Sequence, residues 1–245
     1  MKRILSLYIS LICLISTCVK SQVYKEDVLT IAKAFNDAKG YSVQLNYKMY
    51  LDHDLSKPFQ DASANILKSN DKIYVKQSLG SEMLENDQYQ IMVDDKMKMM
   101  AVIKKKATAT SSASARPDLY QTILGGIDSS SANYKTIKKL SVIGNKVTYE
   151  LVFKPNDAID KVIVVIDKKV KMFESVTFFY SSPRYFEQVD NKPHLVTLKV
   201  VYSNYTTSPV LNQNSFSESN YITLNKQGKM VAQKKYASYQ FINPN

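Results

Sequence analysis

The sequence predicts a mainly β fold (α+β): a large curved antiparallel sheet or half-barrel, with an N-terminal helix and a short middle helix covering one face. Three observations carry this expectation. Residues 41 to 51 alternate strictly between apolar or aromatic side chains (Tyr41, Val43, Leu45, Tyr47, Met49, Leu51) and mostly polar ones, the period of a pleated strand. Many further short strand-like runs follow, separated by brief spacers such as Asn70-Asp71, Asn86-Asp87 and Asp94-Asp95. Spacers this short suit hairpins, because parallel strands need a long crossover. Helical periodicity is confined to two places.

The chain opens with Met1-Lys2-Arg3, followed by an uncharged apolar run from Ile4 to Ile15 and then Ser16 to Gln22. A basic start, a short greasy core and a polar, small-residue end make residues 1–21 a secretory signal. The run is shorter than the roughly 20 apolar residues a membrane span needs. Val19-x-Ser21 fits cleavage before Gln22. The alternative is lipidation at Cys18 through Ile15-Ser16-Thr17-Cys18, which would tether the protein. Cys13 and Cys18 are the only cysteines, so a chain cut before Gln22 has no disulfide and no thiol nucleophile. A cysteine-free exported chain points to a bacterial periplasm or surface. The net charge is +11, and it falls to +8 when Lys2, Arg3 and Lys20 are removed, since no acid precedes Glu26. Nearly all of the positive charge is lysine scattered along strands. That suits solvated faces and blunted edges, and it argues against nucleic acid as a partner.

Val23 to Ala38 reads as a helix, with Val28, Ile31, Ala32 and Phe35 on one face and Gly40 as its stop. After the long strand and a loop holding His53 and Pro58, strands are expected at Ala62 to Lys68, Lys72 to Leu79, Ser81 to Glu85, Gln88 to Val93 and Lys96 to Lys105. Ala107 to Ala115 is a small-residue linker, and Pro117-Asp118 opens the short middle helix that Gly125-Gly126 ends. A second strand series runs from Tyr134 to Ile242, with turns at Gly144-Asn145, Asp167 to Lys169 and Gln227-Gly228. Residues 22–245 are expected to form a single domain, with 217–245 as an added C-terminal hairpin.

The layout resembles the LolA/LolB/LppX-like group of lipoprotein carriers over roughly Tyr24 to Phe216. The carrying segments are the helix leading into YSVQLNYKMYL, the stretch VTYELVFKPNDAIDKVIVVID (Val147 to Asp167), and LVTLKVVYSNYTTSPVL (Leu195 to Leu211). The chain departs from that pattern in lacking an arginine between Arg3 and Arg116, and in having no tryptophan. The resemblance implies an unclosed half-barrel cupping an apolar cavity, and a periplasmic carrier of a lipid or an acylated lipoprotein. A membrane surface is a further implied partner. On this reading the cavity is lined by Val43, Leu45, Tyr47, Met49, Ile91, Val93, Met97 and Met99, with Leu151, Phe153, Val164 and Ile166 from the second half. The alternative is a protein-binding or scaffolding module with a filled core.

No catalytic constellation is visible. Only His53 and His194 could activate a serine, and neither a Gly-x-Ser-x-Gly elbow nor a His-Glu-x-x-His helix occurs. No cofactor is expected. Asp52-His53-Asp54 lacks a second histidine or a cysteine nearby and reads as a loop, so no metal site is expected there. The methionines Met92, Met97, Met99 and Met100 leave three uses open: core packing, lining of an apolar pocket, or binding of cuprous copper.

Overall fold

The structure is a computed structural model that describes residues 23–35, 37–105, 134–155, 157–210 and 212–242. The export signal expected at residues 1–21, with Cys13 and Cys18, the small-residue linker and the helix expected after Pro117 lie outside the described residues. Helix α1 covers residues 23–35. The strands are β1 (Gly40–Leu51), β2 (Gln60–Ser69), β3 (Lys72–Gln77), β4 (Ser81–Glu85), β5 (Tyr89–Asp94), β6 (Met99–Lys104), β7 (Tyr134–Ile143) and β8 (Lys146–Phe153). They continue as β9 (Ile159–Asp167), β10 (Met172–Tyr180), β11 (Arg184–Tyr185), β12 (Pro193–His194), β13 (Val196–Thr206), β14 (Ile222–Leu224), β15 (Met230–Ala232) and β16 (Gln240–Ile242).

Twelve strands form one sheet in the order β16-β6-β5-β4-β3-β2-β1-β13-β10-β9-β8-β7. Hairpin ladders such as β4–β5, β5–β6 and β8–β9 are antiparallel, as the short spacers require. The turns follow from side-chain chemistry. The Asp94 carboxylate accepts the backbone N–H groups of Lys96 and Met97, both at 2.9 Å, and Lys98 closes that turn at φ +52°. Asp167 does the same for Lys169 and Val170, with Lys171 at φ +52°. The sheet is not purely antiparallel, because β16 joins β6 in parallel. The expected run from Met230 to Ile242 is broken by a 3-10 turn at Lys234–Tyr236, which lets the chain arrive at β6 from across the sheet face instead of through a hairpin.

The chain forms two compact units. The first comprises Met1–Asp37, Tyr47–Asp61 and Pro117–Val201; the second comprises Ala38–Asn46, Ala62–Arg116 and Tyr202–Asn245. In the first unit, cross-strand partners build apolar rows on one face: Leu151, Val162 and Phe178 in one, Tyr149, Val164 and Val176 in the next, and Val147, Ile166 and Phe173 in a third. All nine side chains are buried, as are Tyr24, Val28, Ile31 and Phe35 on the apolar face of α1. The Tyr24 ring meets Tyr149 edge-on at 5.1 Å, and the Tyr149 hydroxyl donates to Asp27 at 2.5 Å. Lys168 adds an ion pair to Asp27 at 2.9 Å. Burial first, and then the hydrogen bond to Asp27, push the Tyr149 phenol above its ordinary pKa. The N-terminal helix thus seals this face.

In the second unit the matching role falls to the C-terminal tail. Leu84, Ile91 and Val102 form one row, and Val93 pairs with Met100 in the next. Over them pack Phe216, Tyr221, Ile222 and Tyr236 of the tail, all at most 6% exposed. β14 and β15 form a small antiparallel pair within this tail. Polar ties fix it to the sheet. Tyr221 donates its hydroxyl to Glu82 at 2.8 Å, and Asn86 donates its side-chain amide to the Phe216 carbonyl at 3.2 Å and to Glu218 at 2.7 Å.

Candidate functional site: a methionine-lined groove

Alternation gives the second unit another face, opposite the tail. Along it Val75, Met83, Met92, Ala101 and Ile242 are successive cross-strand partners on β3, β4, β5, β6 and β16. The adjoining row carries Ser81, Asp94, Met99 and Gln240. Met97, in the turn between β5 and β6, borders the same space. The result is an open groove of about 370 Å³, within the range of small-molecule sites. Its floor is apolar, and Gln77, Ser81 and Asp94 supply polar groups at its margin. Met92 is 40% exposed and Met97 65% exposed, unusual for large apolar side chains on a strand and its turn. Thioethers are flexible and polarisable, so such a surface adapts to ligands of irregular apolar shape. Gly80 adjoins Ser81, which lines the groove. It sits at φ +88° in the β3–β4 turn, where an added Cβ would come within 2.9 Å of the Asp95 Cβ.

The structure distributes the residues expected to line a cavity. Met97 and Met99 lie at the groove. Ile91 and Val93 are on the opposite face of β5 from Met92, buried beneath the tail, although Val93 also borders the groove. The reason is the strand period: Met99 aligns with Asp94, whereas Val93 aligns with Met100. Leu151, Val164 and Ile166 are at most 1% exposed in the first unit's core, and Phe153 is half-buried at the end of β8. Val43 and Leu45 are buried in the second unit's part of β1. Tyr47 and Met49 are half-buried in the first unit's part, where Tyr50 on the other face is buried instead. Burial pushes the Tyr47 phenol up. Sequence reasoning missed Val75, Met83, Ala101 and Ile242. Met83 carried a usable signal, since in the β4–β5 hairpin it pairs directly with Met92; nothing local announced the parallel pairing that brings in Ile242.

The tyrosine cluster beneath the tail reads as structural. Tyr74 is pushed up to about 12, by burial first and then by the Glu82 charge. Burial likewise raises Tyr221 and Tyr236. Lys235 lies 4.4 Å from the centre of the Tyr236 ring, a cation–π contact.

The two histidines serve loop anchoring in the first unit. The His53 ring packs edge-on against Phe179, and its Nδ1 lies 2.7 Å from the Thr197 hydroxyl. His194 is held between two carboxylates, with Nδ1 2.8 Å from Asp52 and Nε2 2.8 Å from Asp190. Carboxylates accept and cannot donate, so this geometry suits the imidazolium with both N–H groups donating. Hydrogen bonding to Asp52, then to Asp190, raises the His194 pKa, and the same bonds lower those of both acids. Among the described residues no three His, Cys, Asp or Glu side chains are grouped to hold a metal ion.

No protein-family model and no curated protein matches the chain. Solved structures do. An uncharacterized conserved protein from Thermus thermophilus is 10% identical, with a TM-score of 0.43, over 90% of this chain and 99% of its own. A LolA superfamily protein from Nitrosomonas europaea is 10% identical, with a TM-score of 0.33, over 80% of this chain and 97% of its own. The domain of a putative outer membrane lipoprotein-sorting protein from Vibrio parahaemolyticus is 13% identical, with a TM-score of 0.30, over 78% and 95%. The chain is thus similar to LolA superfamily and lipoprotein-sorting structures.

Proposed function

We propose that this is a non-catalytic, exported, periplasmic binding protein that holds an acyl chain, of a lipid or of a lipoprotein, in the methionine-lined groove. The observation that carries the proposal is the row Val75, Met83, Met92, Ala101 and Ile242, which presents a continuous apolar strip on a sheet face opposite a fully packed core. Binding is by burial alone: each methylene removed from water contributes about 0.8 kcal/mol. The exposed thioethers of Met92 and Met97 fold over the chain from one side. The packed core beneath the tail backs the groove from the other side of the same strands.

A second reading has its own observation. Residues such as Leu84, Ile91, Leu151 and Val164 are 0% exposed, so the interior beneath the helix and beneath the tail is filled. A filled core favours a protein-binding module that uses the groove as a shallow surface. Native mass spectrometry after detergent-free purification from an exporting bacterial host separates the two. The carrier reading expects adducts with the masses of lipids or acyl chains, lost on solvent extraction. A bare protein mass, together with no uptake of a fluorescent fatty acid, would refute it.

A further inference from the structure

A different part of the first unit carries a second interaction surface. The β7–β8 turn (Ile143 to Lys146) and the β9–β10 turn (Asp167 to Lys171) lie side by side, joined by a hydrogen bond from the Lys168 N–H to the Asn145 carbonyl at 2.9 Å. Exposed apolar side chains gather at this end. Ile143 is 75% exposed, Val142 54%, and Val170 51%. Val142 and Ile143 point to opposite faces of the hairpin, since Val142 aligns with buried Val147 and Ile143 with exposed Lys146. The tip is therefore apolar on both sides. Lysines surround it. Lys146 and Lys168 are paired with acids, with Glu174 at 2.8 Å and Asp27 at 2.9 Å, and the exposed Lys169 and Lys171 supply the tip's positive charge.

We infer that this paired-turn tip docks on an anionic lipid bilayer, with Ile143, Val142 and Val170 entering the interface and Lys169 and Lys171 meeting acidic headgroups. A wedge apolar on two sides is poorly covered by one flat protein surface, whereas the fluid boundary of a bilayer envelops both sides. Lysine around an apolar tip complements acidic headgroups. The β7 edge does not invite an added strand from a protein partner. Its register shifts between Lys139 and Ser141, and Lys138 and Lys139 are exposed along it, features that blunt strand addition. Gly144, at φ +59° with nothing near its Cβ position, leaves the turn's crest open.

The test is co-sedimentation with sucrose-loaded vesicles, using the exported chain as Cys18→Ser so that no acyl anchor contributes. The chain is expected to bind vesicles containing phosphatidylglycerol, less so as salt rises, and to bind phosphatidylcholine vesicles weakly. Ile143→Asp is expected to lower the partition coefficient at least about tenfold. Lys169→Glu is expected to lower it several-fold on the anionic vesicles alone. Leu224→Asp, at a 67% exposed apolar position in the second unit, is expected to leave it unchanged. Val170→Asp replaces Ile143→Asp if that variant is misfolded by circular dichroism. No binding to anionic vesicles, equal binding by the tip variants, or an equal loss in Leu224→Asp would overturn the inference. The outcome is independent of whether the groove holds an acyl chain.

Discussion

Neighbouring residues on one strand should fail in opposite ways when truncated. Ile91 is 0% exposed and packs between Leu84 and Val102 under the tail; Met92, next in sequence, is 40% exposed on the groove face. Ile91→Ala removes a fully buried side chain from a row closed above by Phe216, Tyr221 and Tyr236, a site with little freedom to collapse, so it should cost about 2–5 kcal/mol. For a chain of this size that lowers the melting temperature by about 4 °C or more. Met92→Ala should cost under about 1 kcal/mol, because much of the side chain is already in water. The ligand effects should be reversed. Met92→Ala should weaken binding of a fluorescent fatty acid several-fold, whereas Ile91→Ala should leave the affinity of the folded fraction nearly unchanged. Melting followed by near-ultraviolet circular dichroism, alongside probe titration, reads both quantities. Equal destabilisation by the two variants would refute the register of β5, and unchanged probe affinity in Met92→Ala would refute the groove as the ligand site.

Tyr221→Phe should destabilise the protein by about 1 kcal/mol or somewhat more, since it strips Glu82 of a hydrogen bond in a partly buried place, and urea denaturation would show it. Gly80→Ala should cost about 1 kcal/mol or more through its positive φ and the close Asp95 Cβ, and should also weaken probe binding by disturbing the adjoining Ser81. The Asp52–His194–Asp190 tie has a defined pH window. The raised His194 pKa makes its contribution complete below about pH 6.5 and lost as pH rises through the folded value. The lowered Asp52 and Asp190 values make theirs complete above about pH 4 and lost on further acidification. The tie is therefore strongest in mildly acidic solution, and thermal melts of His194→Gln across that range should lose the wild-type gain there.

Strand existence and hairpin order were legible because the signals are local. The alternation from Tyr41 to Leu51, the Asx residues in the turns at Asp94 and Asp167, and the helical spacing of Val28, Ile31 and Phe35 all act within a few residues. What covers each face was not legible, because it depends on segments distant in sequence. The tail reads locally as strand from Met230 onward, yet it caps Leu84 and Ile91 and reaches β6 in parallel. The grouping of Ile91 and Val93 with Met97 and Met99 failed on parity alone. Antiparallel partners share a face, and Met99 pairs with Asp94 whereas Val93 pairs with Met100, so the two sets point to opposite sides of the sheet. The pairing of Asp52 with His194 was likewise invisible, since strand neighbours far apart in the chain bring the two together.

Photo-crosslinking with a diazirine-bearing fatty acid, followed by peptide mass mapping, tests most directly whether the thioether strip receives the oily guest. Label on the segments that carry Met83, Met92 and Met97, reduced in Met92→Ala, is the predicted result. Label confined to other segments, or none above the background of a heat-denatured sample, would contradict it.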